Sequence, residues 1–235
     1  MTTQIVLVPG FWLGAWAWDS VATDLRARGH EVTAVTLPGL EPGATDPGAI
    51  TLDDHEGAIF AALDPAAARR ILVVHSGAAV PGTMILDRHP DLVDHVVFVD
   101  TAPVRAGFAI KEDLEGDTFP LESVWDMEFE DGSMRGLSDE QLHTFRDRAV
   151  PQPAQTVRVP VELSNPARLA VPGTVICTAF PAEDYRSYAE QGMGFLAGLL
   201  DHTNLTYVDL PTGHWPMWSE PTELAAVIAK VADGA

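Results

Sequence analysis

Six short apolar runs punctuate the chain, at residues 5–8, 32–37, 71–75, 96–99, 174–178 and 205–210. Each is nearly continuous rather than alternating, the pattern of strands buried on both faces of a parallel sheet. Helical spacings fill the intervals. Trp18, Val21, Ala22 and Leu25 fall at i, i+3, i+4 and i+7, with Gly29 beyond them as a C-terminal stop. Thr51 is placed to cap a helix carrying Leu52, Ile59 and Leu63, and Leu224, Val227, Ile228 and Val231 repeat the spacing near the end. Strands alternating with helices predict an α/β fold, an open and mostly parallel sheet of about six strands flanked by helices.

One stretch breaks the rhythm. Between Pro103 and Pro172 no strong strand run occurs, and from Glu112 to Asp131 there are nine acidic residues and no basic one, which reads as a solvated face. Ser138 then looks like the cap of a helix over 139–149 with Leu142 and Phe145 on one side. Roughly seventy residues are too many for an ordinary connection. A small, mainly helical lid at 104–170 is therefore expected, inserted into a core made of 1–103 and 171–235.

Composition narrows the partners. The 235 residues, 46% hydrophobic, suit one domain with a sizeable core. Lys plus Arg number 14 against 34 Asp plus Glu, a net charge of -20. Such a polyanion repels nucleic acid and anionic membranes, so neither is expected as a partner. No run approaches the ~20 apolar residues of a membrane span. The opening apolar run is too short for a signal peptide and lacks its basic flank, so a cytoplasmic location is expected. The single cysteine, Cys177, excludes an intrachain disulfide and reads as a small buried hydrophobe. Oligomeric state stays open. Metal-ligand spacing, a G-x-G-x-x-G fingerprint and a P-loop are all missing from the sequence, which argues against a dehydrogenase or an NTPase and for chemistry without a cofactor.

The candidate chemistry begins at Val74-His75-Ser76-Gly77-Ala78, where a buried strand ends abruptly and small residues lead into a helix. That is the outline of a nucleophile elbow, with both outer glycines of G-x-S-x-G replaced. The competing reading is a hydroxyl in an ordinary strand-to-helix turn. A serine needs a base. His214 follows the last strand directly, in Leu210-Pro211-Thr212-Gly213-His214-Trp215, at the sheet edge where ligands gather. Of the other histidines, His30, His89, His95 and His143 lie in helix-end or surface-like contexts and His202 in a polar turn.

Ser76 and His214 in this order resemble an α/β-hydrolase. Within that superfamily, residues 7–16, beginning Leu7-Val8-Pro9-Gly10-Phe11-Trp12, and residues 29–39 are similar to the plant methylesterase and hydroxynitrile-lyase-like group. The resemblance covers nearly all the chain outside the lid. It implies catalytic order Ser, Asp, His, and oxyanion donors on the backbone N–H of Gly77 and of Phe11, although Pro9-Gly10 replaces the family's usual His-Gly. The family most often carries its acid near Pro181, which is not acidic. Asp100, at the end of the fourth apolar run, is one candidate; Asp184 or Glu183 is the other if the turn is rearranged. Trp12, Trp125, Trp215 and Met217 are candidates to line a substrate pocket beneath the lid.

Three functions follow. The first is a cofactor-free serine hydrolase acting on an ester or lactone of a small, largely apolar molecule. The second is a hydroxynitrile-lyase-like C–C lyase. Those enzymes carry lysine after the catalytic histidine and threonine in the first loop, where this chain has Trp215 and Gly10. The third is a slow or non-catalytic ligand-binding protein on the same scaffold.

Overall fold

A computed structural model describes residues 2–234. The described residues contain eight strands: β1 (Gln4–Val8), β2 (Glu31–Ala34), β3 (Arg70–His75), β4 (His95–Val99), β5 (Thr118–Phe119), β6 (Gln152–Pro153), β7 (Gly173–Cys177) and β8 (Leu205–Asp209). Six of them form one sheet in the order β2-β1-β3-β4-β7-β8, every neighbouring pair parallel. The four central strands are buried almost throughout. The two edges alternate instead, exposing Glu31 and Thr33 on β2 and Thr206 and Asp209 on β8. β2 also stops earlier than its apolar run. Beyond the Val35 N–H, which reaches the Leu7 carbonyl at 3.0 Å, the chain turns so that the Thr36 hydroxyl accepts the Ala15 N–H at 2.9 Å.

Helices cover both faces: α1 (Asp19–Ala27), α2 (Leu52–Ala62), α3 (Ala79–Arg88), α4 (Trp125–Glu130), α5 (Asp139–Arg148), α6 (Gln155–Arg158), α7 (Ala182–Glu190), α8 (Pro216–Ser219) and α9 (Pro221–Ala232). Side chains of α1 and α9 share one apolar core with the sheet, and α2, α3 and α7 contribute to a second one. Local chemistry sets the helix starts. Thr51 and Ser138 each accept the N–H three residues on, while Asp54 and Gln141 reach back to the cap's own N–H, completing two capping boxes. α1 stops where Gly29 adopts φ +96°. No helix among the described residues is long and apolar enough to cross a membrane.

Between β4 and β7 lie α4, α5, α6 and the antiparallel pair β5–β6, only two residues in each strand. Two-residue strands carry no periodic signal, and Pro153 removes a donor from one of them, so this pairing leaves no mark in the pattern of residues. The segment is tied to the sheet's carboxyl edge. The Trp12 indole donates to the Phe119 carbonyl at 2.8 Å, and the Val150 N–H donates to the Trp12 carbonyl at 3.0 Å. At the other end the His214 N–H donates to the Ser133 carbonyl at 2.7 Å.

Candidate active site

Strand register alone assembles the site. Val8 pairs with Val74, His75 with Val99, and Val99 with Ile176. One or two residues further along, Gly10, Ser76, Asp100 and Thr178 therefore stand side by side at the carboxyl edge of adjacent strands. Ser76 has φ 52° and Asp100 φ 47°, left-handed conformations that are uncommon away from glycine and lift each side chain out of the sheet.

The elbow works without its outer glycines because the clearance comes from elsewhere. Val74 occupies the first glycine position, and the helix residue facing it is Gly82, where a Cβ would come within 2.7 Å of Val74 Cγ1. Ala78 occupies the last position and is buried. On the opposite side the first loop presses against the elbow. A Cβ on Gly10 would lie 2.8 Å from Ser76 Cβ, and one on Gly77 would lie 2.3 Å from the Phe11 ring. Among the described residues the Phe11 N–H has no acceptor within the protein.

His214 Nε2 lies 2.8 Å from Ser76 Oγ, and its Nδ1 is hydrogen-bonded to Asp100 Oδ2. Asp100 is 8% exposed. Its other oxygen accepts the Thr178 N–H at 3.2 Å, the Ala179 N–H at 3.1 Å and the Tyr185 hydroxyl. Burial alone would push this carboxyl's pKa up. The hydrogen bonds from His214, Tyr185 and Thr178, with the His214 charge, outweigh it and hold Asp100 well below the usual carboxylate range. For His214 burial acts downward, yet the bond and charge of Asp100, then Glu128 and Asp131, raise the pKa above the ordinary imidazole value. Of the three carboxylates weighed from sequence, Asp100 meets the ring. Glu183 and Asp184 sit in the first turn of α7 and make no hydrogen bond to it among the described residues.

A cavity of about 410 Å³ opens onto Ser76. Phe11, Gly77 and His214 line it, together with an apolar wall that includes Val80, Val104, Phe108, Ile110 and Phe195. The four pocket residues expected from sequence need correction: Trp12, Trp125, Trp215 and Met217 do not line this cavity. They are 5%, 8%, 2% and 0% exposed and belong to the core between the sheet and the inserted segment. Trp12 is turned inward by its φ of 66° and anchored through its indole N–H. Phe145 packs against Trp12, Trp125 and Trp215 with ring centroids 5.0–6.5 Å apart.

Two further polar side chains border the site without having been singled out. His75, 1% exposed, has its Nε2 2.7 Å from the His214 carbonyl oxygen. That acceptor fixes the proton on Nε2, and burial, then the nearby His214 charge, push the pKa down to about 3. Tyr185 is the other. Its position in the first turn after β7 was visible only as one aromatic in an acidic helix start.

A parallel sheet of this order, with a serine at φ 52° after β3 and a histidine after the last strand, defines an α/β-hydrolase. The chain belongs to the alpha/beta hydrolase family, whose model matches residues 5–227. It is 33% identical over 143 residues to Methylesterase 18 of Arabidopsis thaliana, a match covering 55% of this chain and 53% of that protein. The chain thus spans about half the length of that relative. Methylesterase 7 of the same organism is 26% identical over 98% of this chain and 96% of its own length. The structure of an Arabidopsis methylesterase superposes with a TM-score of 0.73 at 20% identity, covering all of both chains.

Proposed function

We propose that the protein is a cofactor-free serine hydrolase that cleaves an ester or lactone of a small, largely apolar molecule through an acyl-serine intermediate. The observation that carries this reading is the continuous path from Ser76 Oγ through the His214 ring to Asp100 at the floor of an apolar cavity. His214 Nε2 takes the Ser76 proton as Oγ attacks the carbonyl carbon, and Asp100 steadies the imidazolium that forms. The Phe11 and Gly77 amides receive the developing oxyanion. His214 then returns its proton to the departing alcohol, and water activated by the same ring attacks the acyl-serine to release the acid. Apart from Asp100 and His214 themselves, the residues lining the cavity carry no charge, which favours a neutral substrate. Relatives named as methylesterases add support for an ester as the bond cleaved and for a methyl ester as the first to try.

The test is hydrolysis of p-nitrophenyl and methyl esters together with labelling by a fluorophosphonate. Ser76→Ala is expected to abolish turnover and labelling alike. Labelling that persists in this variant would move the nucleophile elsewhere, and tight ligand binding with neither burst nor steady-state product would favour a binding protein. C–C lysis finds no support at Gly10, where a threonine side chain would run into Ser76 and His75.

A further inference from the structure

We propose that Tyr185 is a positioning residue for the reaction, its hydroxyl clamping the acid that orients the catalytic base. The inference rests on the roles given above to Ser76, His214 and Asp100. A carboxylate that ends a strand can turn about its last torsion and offer either oxygen in many directions. Asp100 is denied that freedom. Its Oδ1 takes three donors, the Thr178 and Ala179 amides and the Tyr185 hydroxyl, which leaves Oδ2 to His214 alone. Two of the donors are backbone groups at the end of β7, and the third stands on α7 just beyond. The turn near Pro181, where related enzymes were expected to carry the acid, here carries the groups that hold an acid supplied by β4.

The phenol is well suited to the task. Tyr185 is 4% exposed, its ring lies edge-on to Phe180 at 6.4 Å, and burial followed by the Asp100 charge pushes its pKa well up, so it remains a donor across the working pH range. A donor to the outer oxygen also withdraws carboxylate charge from the imidazolium. The charged and titratable groups facing this pair are His75 from β3, Cys177 from β7, Tyr185 from α7, and Glu128 and Asp131 from α4 and its end. Within this set Tyr185 is the side chain that donates to Asp100 Oδ1.

Tyr185→Phe keeps the ring and removes the donor. Its expected signature is a fall in kcat of about tenfold with KM unmoved, since Tyr185 does not line the cavity. The acid limb of kcat/KM should also move up by roughly half a pH unit, because more carboxylate charge then faces the imidazolium. A wild-type kcat with an unmoved limb overturns the proposal even if Tm falls, since a merely structural hydroxyl would give that result. Should Tyr185→Phe fail to fold, a ring-fluorinated tyrosine at position 185 keeps the shape and strengthens the donor. It should shift the limb downward, and an unmoved limb again overturns the idea. Fluorophosphonate labelling of the wild type and of Ser76→Ala, run alongside, separates the two failures. Labelling that survives in Ser76→Ala breaks the reading of the site itself, whereas its loss there with wild-type behaviour of Tyr185→Phe breaks only the clamp.

Discussion

Gly10→Ala adds a single methyl where the first loop presses against the elbow. The new Cβ would lie 2.8 Å from Ser76 Cβ, 2.8 Å from His75 Nδ1 and 3.2 Å from the His75 carbonyl oxygen. Carbon atoms in ordinary contact stand about 3.5–4.0 Å apart, so one side must give way by roughly 0.7 Å or more. The elbow is the stiffer partner, because β3 is hydrogen-bonded between β1 and β4 and the His75 ring is held by the His214 carbonyl. The loop therefore moves and carries the Phe11 amide away from the oxyanion. Losing one such donor costs about 3 kcal/mol, and displacement by an ångström costs on the order of a hundredfold, so kcat/KM should fall about 100-fold, mostly in kcat. Overpacking should cost ~1–3 kcal/mol of stability, which leaves the variant folded at 25 °C. The assay is steady-state hydrolysis of a p-nitrophenyl ester, with fluorophosphonate labelling to count competent serines. Complete but slow labelling with the expected loss of kcat supports the argument. A folded Gly10→Ala variant with wild-type kcat/KM refutes it, because the donor geometry would then not depend on how closely this loop approaches Ser76.

The elbow's unusual clearance makes a paired prediction: Gly82→Ala places a Cβ 2.7 Å from Val74 Cγ1 and should destabilise the fold by ~1–3 kcal/mol, whereas Val74→Ala in the same chain should recover much of the loss in urea unfolding. Because the His214 pKa is raised and the base must be neutral to act, the acid limb of kcat/KM should lie above the ordinary imidazole value of about 6.5; a limb below that value contradicts the Asp100 contact. Acid stability follows from four histidines with depressed pKa values, chiefly because burial opposes their charge: His75 at about 3, and His55, His95 and His202 at about 4. Their stabilising contribution is present above the unfolded value near 6.5 and is lost as pH falls toward 4, so the urea midpoint should drop across that window; a flat midpoint down to pH 4.5 would sink the reasoning.

Much of this architecture was legible because the four central strands, buried on both faces, write themselves as apolar runs, and the two partly exposed edge strands fall on runs of their own. Ser76 and His214 were legible for a related reason, since Ser76 directly follows β3, His214 lies in the loop after β8, and the sheet edge is where such residues converge. The acid was harder. Three carboxylates were compatible with the sequence, and the choice of His214's partner depends on the register that sets Asp100 beside Ser76. The pocket was misread because adjacency in sequence is a poor guide at a left-handed residue. Trp12 follows Phe11, yet its φ of 66° sends the indole into the core while the Phe11 ring faces the cavity. The real wall is assembled from segments far apart in the chain, Val80 on α3, Phe108 and Ile110 beyond β4, and Phe195 beyond α7, a grouping that no spacing rule reaches. Tyr185 and Gly82 share that difficulty, because each matters only through a residue packed against it from another element.

Four non-glycine residues among those described have positive φ, and three of them, Trp12, Ser76 and Asp100, follow three adjacent strands at the same edge of the sheet. Left-handed backbone at a side-chain-bearing residue costs about 1–3 kcal/mol and persists only where its surroundings over-determine it. Each of the three is held by a neighbouring segment. Trp12 is tied to Phe119 and Val150 of the inserted segment, Ser76 is pressed by Gly10 of the first loop, and Asp100 is bound by the end of β7 and by Tyr185. The inserted segment is therefore part of what holds this edge of the sheet in register. It grips the loop after β1 at Trp12 and the loop after β8 at His214, the two loops that carry the proposed oxyanion donor and base. Loosening that grip should misplace donor and base together, so damage far from Ser76 in this segment reaches kcat before it reaches the fold of the sheet.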